Sequence, residues 1–147
     1  MRGFRLAGCH VPLLLTLAVA PSIAAQAVTP AGAWNGSWTA PEGWVYAAAL
    51  HLSLNSDATL EGSIAWTLQT SPRPEEKAKI GLTGVEHVRG TYDSRCRIVR
   101  LEGYRLDDPN SILGTDRYEL VLAQTGNSLG GITWHHGPWT GQLLLTR

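Results

Sequence analysis

From Trp44 to Leu54 the chain alternates in character. The even positions read Trp44, Tyr46, Ala48, Leu50, Leu52 and Leu54, with His51 and Ser53 among the odd ones. From Thr59 to Gln69 the pattern repeats, with Leu60, Gly62, Ile64, Trp66 and Leu68 on one face and Thr59, Glu61, Ser63, Ala65, Thr67 and Gln69 on the other. A period of two predicts strands that bury one face and wet the other. Further strands are expected over about 85–92, 97–106, 117–123, 128–134 and 139–146, after a short first one near 33–39. No segment carries a helical stripe, and only residues 72–79 leave room for a single turn.

The connections between these strands fall into two kinds. Asn55-Ser56-Asp57-Ala58, Asp93-Ser94-Arg95-Cys96 and Gln124-Thr125-Gly126-Asn127 are short and polar and read as hairpin turns. Residues 40–43, 70–79, 107–114 and 135–138 make the longer or irregular links. In a meander, alternate connections lie at the same end, so the tight turns collect at one end and the longer loops at the other. Eight antiparallel strands without a covering helix resolve their exposed edges by closing. The expected fold is therefore all-β: an eight-stranded antiparallel up-and-down meander barrel, whose interior holds side chains or one small ligand. Gly36, Gly62, Gly90, Gly103, Gly131 and Gly141 all fall on the apolar face, two residues from a large neighbour. Glycine weakens a strand, so six in phase point to sharp coiling or to room made for an aromatic ring. The predicted core is Trp34, Trp38, Leu50, Leu52, Ile64, Trp66, Val88, Tyr92, Leu101, Leu120, Leu143 and Leu145.

The first 27 residues read differently. Arg2 and Arg5 precede an apolar run at 11–20, and small residues lead to Ala25-Gln26-Ala27. This is the form of a cleaved secretory signal, so the expected domains are a signal peptide, 1–27, and a single β-domain, 28–147, in the periplasm or outside the cell. The run falls short of the ~20 apolar residues of a spanning helix, and no transmembrane segment is expected. Cys9 precedes the apolar run, so Leu6-Ala7-Gly8-Cys9 is not a lipidation site. Without Arg2 and Arg5, ten basic residues stand against twelve acidic ones, a formal charge of two negative. That leaves no footprint for nucleic acid or anionic lipid. Cys96 becomes a lone thiol, expected to be sheltered, with a bridge to a second chain as the alternative.

Gly36-Ser37-Trp38 at the head of an eight-strand meander resembles the G-x-W signature of the calycin barrels, the lipocalins and avidins. Five residues then lead to Trp44, a spacing similar to that of avidins. The resemblance implies a barrel that holds a small ligand. It also implies that a basic residue of the last strand, here Arg147, packs on the Trp38 indole. Thr115-Asp116 resembles another lipocalin motif, placed before the sixth strand instead of the seventh. There is no disulfide pair and no C-terminal helix, and Thr39-Ala40-Pro41 stands where avidins carry polar ligand-binding residues, so biotin binding is not carried over. Bacterial metalloprotease inhibitors share a small barrel of this kind, which keeps an inhibitor role open by analogy.

Candidate chemistry gathers at the long-loop end. Trp44, His135, His136 and Trp139 are the expected ligand-binding residues: indoles stack on flat molecules, and a neutral imidazole fixes orientation through one hydrogen bond. His51, His87, His135 and His136 lack metal-ligand spacing, so no metal site and no cofactor are expected. No catalytic constellation is found. Glu75-Glu76 and Asp107-Asp108 read as solvated loop charges, whereas Glu86 and Glu102 are placed to face inward, where burial would raise a carboxyl pKa. The function expected is binding of a small apolar or aromatic ligand. The alternative is a protein-interaction or inhibitor module with a filled barrel.

Overall fold

A computed structural model describes residues 28–134 and 140–147. Residues 1–27, on which the signal reading falls, and 135–139 lie outside the described residues. The strands are β1 (Gly32–Thr39), β2 (Val45–Leu54), β3 (Thr59–Thr70), β4 (Thr83–Asp93), β5 (Ile98–Asp107), β6 (Arg117–Leu122), β7 (Ser128–Trp134) and β8 (Thr140–Thr146). Each pairs antiparallel with the next, and β1 pairs with β8, from Asn35 opposite Thr146 to Thr39 opposite Gln142, which closes the barrel. A 3-10 helix, Pro74–Lys79, forms in the β3–β4 loop, where Pro74 presets the first turn. No helix among the described residues is long and apolar enough to cross a membrane.

All twelve predicted core residues are buried. The alternation that placed them also places their neighbours: the outer wall carries cross-strand charge pairs such as Arg100–Glu119 at 3.0 Å and Arg117–Glu102 at 3.6 Å. Glu102 therefore faces outward and exposed, contrary to the inward expectation, while Glu86 does face in, 1% exposed. β4 and β5 slip by one residue between His87 and Val88, so Tyr104 has no partner across the ladder. This bulge shifts the phase of β5, which puts Gly103 opposite Val88 and Arg105 opposite His87. Cys96 sits exposed in the β4–β5 turn, not sheltered.

The two ends of the barrel differ. At the tight-turn end, residues 28–31 cross beneath the strands. Trp34 donates its Nε1–H to the Pro30 carbonyl at 2.9 Å. Arg147 stacks on the Trp34 ring, 4.2 Å from its centroid, and donates to the carbonyls of Gly126, Ala31 and Thr29 at 2.7–2.9 Å. The calycin-type expectation had put Arg147 on Trp38. Trp38 instead lies at the opposite end of β1, because four residues along a strand carry the chain most of the way across the sheet. Above the sealed end, aliphatic side chains such as Leu50, Ile64, Val88, Leu120 and Leu143 fill the lumen. At the long-loop end the lining turns aromatic and polar.

Candidate functional site

The open end holds a cavity of about 310 Å³. β1 supplies Trp38, the β1–β2 loop Trp44, β2 Tyr46, β3 Trp66, β4 Glu86 and β6 Tyr118. The loop from Asp107 to Arg117 closes part of the mouth with Ile112, Leu113, Gly114 and Asp116. Asp108 holds that loop in shape, its Oδ2 accepting from the amides of Ile112 and Leu113 at 2.7 Å each. It is half-buried, not a solvated loop charge, and its Oδ1 has no hydrogen-bond partner. Tyr46 ties the loop to the wall by donating its hydroxyl to the Ile112 carbonyl at 2.7 Å.

The rings stand edge to face. Trp38 and Tyr46 lie 5.8 Å apart at 67°, and Tyr46 and Trp66 6.3 Å apart at 81°, the geometry that aromatic quadrupoles favour. Trp38 fits because β8 carries glycine where the indole lies, two residues from its ladder partner Leu143: a Cβ at position 141 would lie 2.2 Å from the indole. Its Nε1–H bonds Thr133 Oγ1 at 2.6 Å.

Glu86 is the buried charge of the site. Its Oε2 accepts from Trp66 Nε1 at 3.1 Å and from the Tyr118 hydroxyl, and its Oε1 accepts from the Asp116 amide at 2.9 Å. Glycine makes the space here too, since a Cβ at position 103 would meet Oε1 at 1.8 Å. Burial pushes the carboxyl from the ordinary 4.5 up to about 7, against the pull of its three hydrogen-bond donors, and the nearby Asp116 charge adds to the rise. Tyr118, buried beside Glu86, has its phenol pushed well above 10 and stays a neutral donor. Tyr46 rises to about 12, through burial first and then the carboxylates of Glu76, Asp108 and Asp116. A carboxyl near 7 has the proton affinity of a general acid or base. Its bonded neighbours are two aromatic donors and an amide, so the arrangement holds a proton or a charge without presenting a nucleophile.

Glu76 belongs to this mouth, which corrects its reading as a solvated loop charge. Its Oε2 accepts from Trp44 Nε1 at 3.0 Å and from Ser71 Oγ at 2.5 Å, and its Oε1 lies 3.3 Å from Arg73. Desolvation is the largest influence on Glu76, yet the hydrogen bonds from Ser71 and Trp44 and the Arg73 charge together hold its carboxyl below the usual range. The Arg73 guanidinium sits over the Trp44 ring, 5.1 Å from its centroid.

Of the four residues expected to bind ligand, Trp44 is at the cavity, though just ahead of β2 and not within it. His135, His136 and Trp139 lie outside the described residues. Sequence pattern missed Tyr46, Trp66 and Tyr118 as site residues: Trp66 reads as core, and Tyr46 and Tyr118 carry no motif that sets them apart from other strand residues. Glu86 carried a signal, a carboxylate in phase with apolar residues. Among the described residues, no group of three His, Cys, Asp or Glu side chains is placed to hold a metal ion. A larger trough, about 650 Å³, runs along the outer wall over β3–β6 past Arg89, Arg100, Glu102 and Glu119. It is shallow, and the Arg100–Glu119 and Arg117–Glu102 pairs run along it, so it offers a ligand little enclosed apolar surface. No protein-family model, curated protein or solved structure matches the chain.

Proposed function

We propose that this protein is an exported, calycin-like ligand-binding barrel that takes a small apolar or aromatic molecule at its long-loop end. The observation that carries this reading is the aromatic-walled cavity of about 310 Å³, open above a filled and sealed lumen. Its volume is near the lower end for ligand sites, about 300 Å³, so the occupant is small. The sequence expectation also assigns His135, His136 and Trp139, outside the described residues, to this site. Export rests on the sequence of residues 1–27, and intact-mass analysis of the protein recovered from its host, expected to begin near Val28, checks it.

Titrating a panel of small hydrophobic and aromatic compounds while following tryptophan emission tests the binding. A saturable change that is lost in Trp139→Ala, with the far-ultraviolet spectrum unchanged, supports the site. Unaltered emission across the panel sinks it. A second reading, a protein-interaction module, is favoured by Val121, Ile132 and Leu144, which are exposed together on the outer wall of β6–β8. Substituting Leu144 with Lys should abolish any self-association or partner binding through that wall.

A further inference from the structure

The charges of the barrel wall are confined to half of it. β7, β8, β1 and β2 are consecutive in the closed ring, and among the described residues these strands contain no Asp, Glu, Lys or Arg. The charged strand residues lie on β3 to β6, where Glu61, Arg89, Arg100, Glu102, Arg117 and Glu119 stand on the outer wall. A solvated wall has no need to exclude charge, whereas charge depletion marks the centre of protein interfaces.

The uncharged half also has relief. One rung of the ladder runs Val121, Gly130, Leu144, Ser37 and Ala47, from β6 round to β2. Val121 and Leu144 are exposed, as is Ile132, two residues along β7 from Gly130. Gly130 puts no side chain between Val121 and Leu144, and Leu144 leans over it: a Cβ there would lie 3.1 Å from Leu144 Cδ1. The three make an apolar ridge. Across the β8–β1 seam the outward side chains are small, Asn35, Ser37, Ala47 and Ala49, and form low ground.

We infer that this wall binds a second copy of the chain, an inference that rests on the outer-wall interaction reading and is independent of the mouth. A two-fold axis along the β8–β1 seam lays the ridge of one copy on the low ground of the other, in both directions at once. Charge selects the same occupant. A charged surface would give up water against this wall and find no counter-charge, while a copy of the wall brings none. Asn35, Gln142 and Thr146, exposed beside the ridge, find hydrogen-bond partners on a protein face and none in a hydrocarbon layer.

Sedimentation velocity of the protein recovered from its host, over ~1–100 μM, tests this. Reductant is present, so that the exposed Cys96 cannot bridge two chains. Twice the mass of one chain is expected, falling toward a single chain on dilution. Ser37→Lys and Leu144→Lys each place a charge that the symmetry buries twice. Each should raise the dissociation constant at least about hundredfold, with the far-ultraviolet spectrum unchanged. Thr91→Lys, exposed on the charged half, should leave it unaltered. A single-chain mass at every concentration overturns the inference whether or not the variants fold. Where Leu144→Lys then still strips a different bound protein, the outer-wall reading outlives it. Monomers that bind neutral phosphatidylcholine vesicles overturn it in favour of a lipid occupant. A dimer unmoved in both folded variants, or broken as readily by Thr91→Lys, overturns the inference and the outer-wall reading together.

Discussion

Glu86 makes the barrel's stability depend on pH in an unusual direction. In the unfolded chain its carboxyl loses its proton near 4.5; in the folded barrel burial holds the proton until about 7. Between these values the folded state binds a proton that the unfolded state has released, so stability falls as pH rises. The contribution is fully present below 4.5 and is lost as pH passes through 7. At about 1.4 kcal/mol per pKa unit, the rise amounts to about 3 kcal/mol, a large part of the ~5–15 kcal/mol that holds a typical domain together. Urea unfolding measured from pH 4.5 to 8.5 on the wild type and on Glu86→Gln isolates it. Gln cannot titrate, and the hydrogen bond it misplaces costs the same at every pH, so the difference between the two proteins carries only the Glu86 proton. Wild-type stability relative to Glu86→Gln should fall by about 3 kcal/mol across the range. A flat difference, or one that grows with pH, would show that the bonds from Tyr118, Trp66 and the Asp116 amide outweigh burial, and the reasoning would fail.

Three further outcomes are expected. Trp66→Ala should destabilise by ~3–5 kcal/mol, since it empties a buried ring site and strips a donor from Glu86; a loss under ~1 kcal/mol in chemical denaturation would mean the indole is not packed as described. Gly103→Ala should cost about 3 kcal/mol, because the new methyl occupies the place of Glu86 Oε1, and the pH dependence should flatten with it; normal stability would mean that the carboxylate swings away freely. Arg147→Ala should cost about 2 kcal/mol and expose residues 28–31 to protease, and Arg147→Lys should restore little, because an ammonium cannot stack on Trp34 and bond three carbonyls at once; equal digestion rates would refute the clamp.

Most of the architecture was legible in the chain itself. A period of two has only two outcomes for a side chain, in or out, so Leu50, Ile64 and Leu143 could be placed inside before any coordinates. The three polar turns fixed which strands are neighbours, and the lack of any covering helix pointed to closure. The phase of the glycines showed that something crowds the lumen, but not what. That required the tertiary structure: Gly141 yields to Trp38 and Gly103 to Glu86, neighbours brought together by closure and by the β4–β5 register. Glu86 and Glu102 looked alike in sequence, and the phase of each strand put one in the lumen with Val88 and the other outside, between Leu101 and Gly103. In the loop pairs Glu75 and Asp107 are exposed as expected, and Glu76 and Asp108 are the members that depart from it. Glu76 turns inward because Trp44, from a segment far away in the chain, meets it together with its near neighbours Ser71 and Arg73, and Asp108 because it caps its own loop. Arg147 found Trp34 in place of Trp38, since only the direction of β1 across the closed barrel decides which indole lies at which end. Local pattern reports which face a residue takes, whereas a site is made where faces from distant strands meet, and that depends on register and closure, which no window of sequence contains.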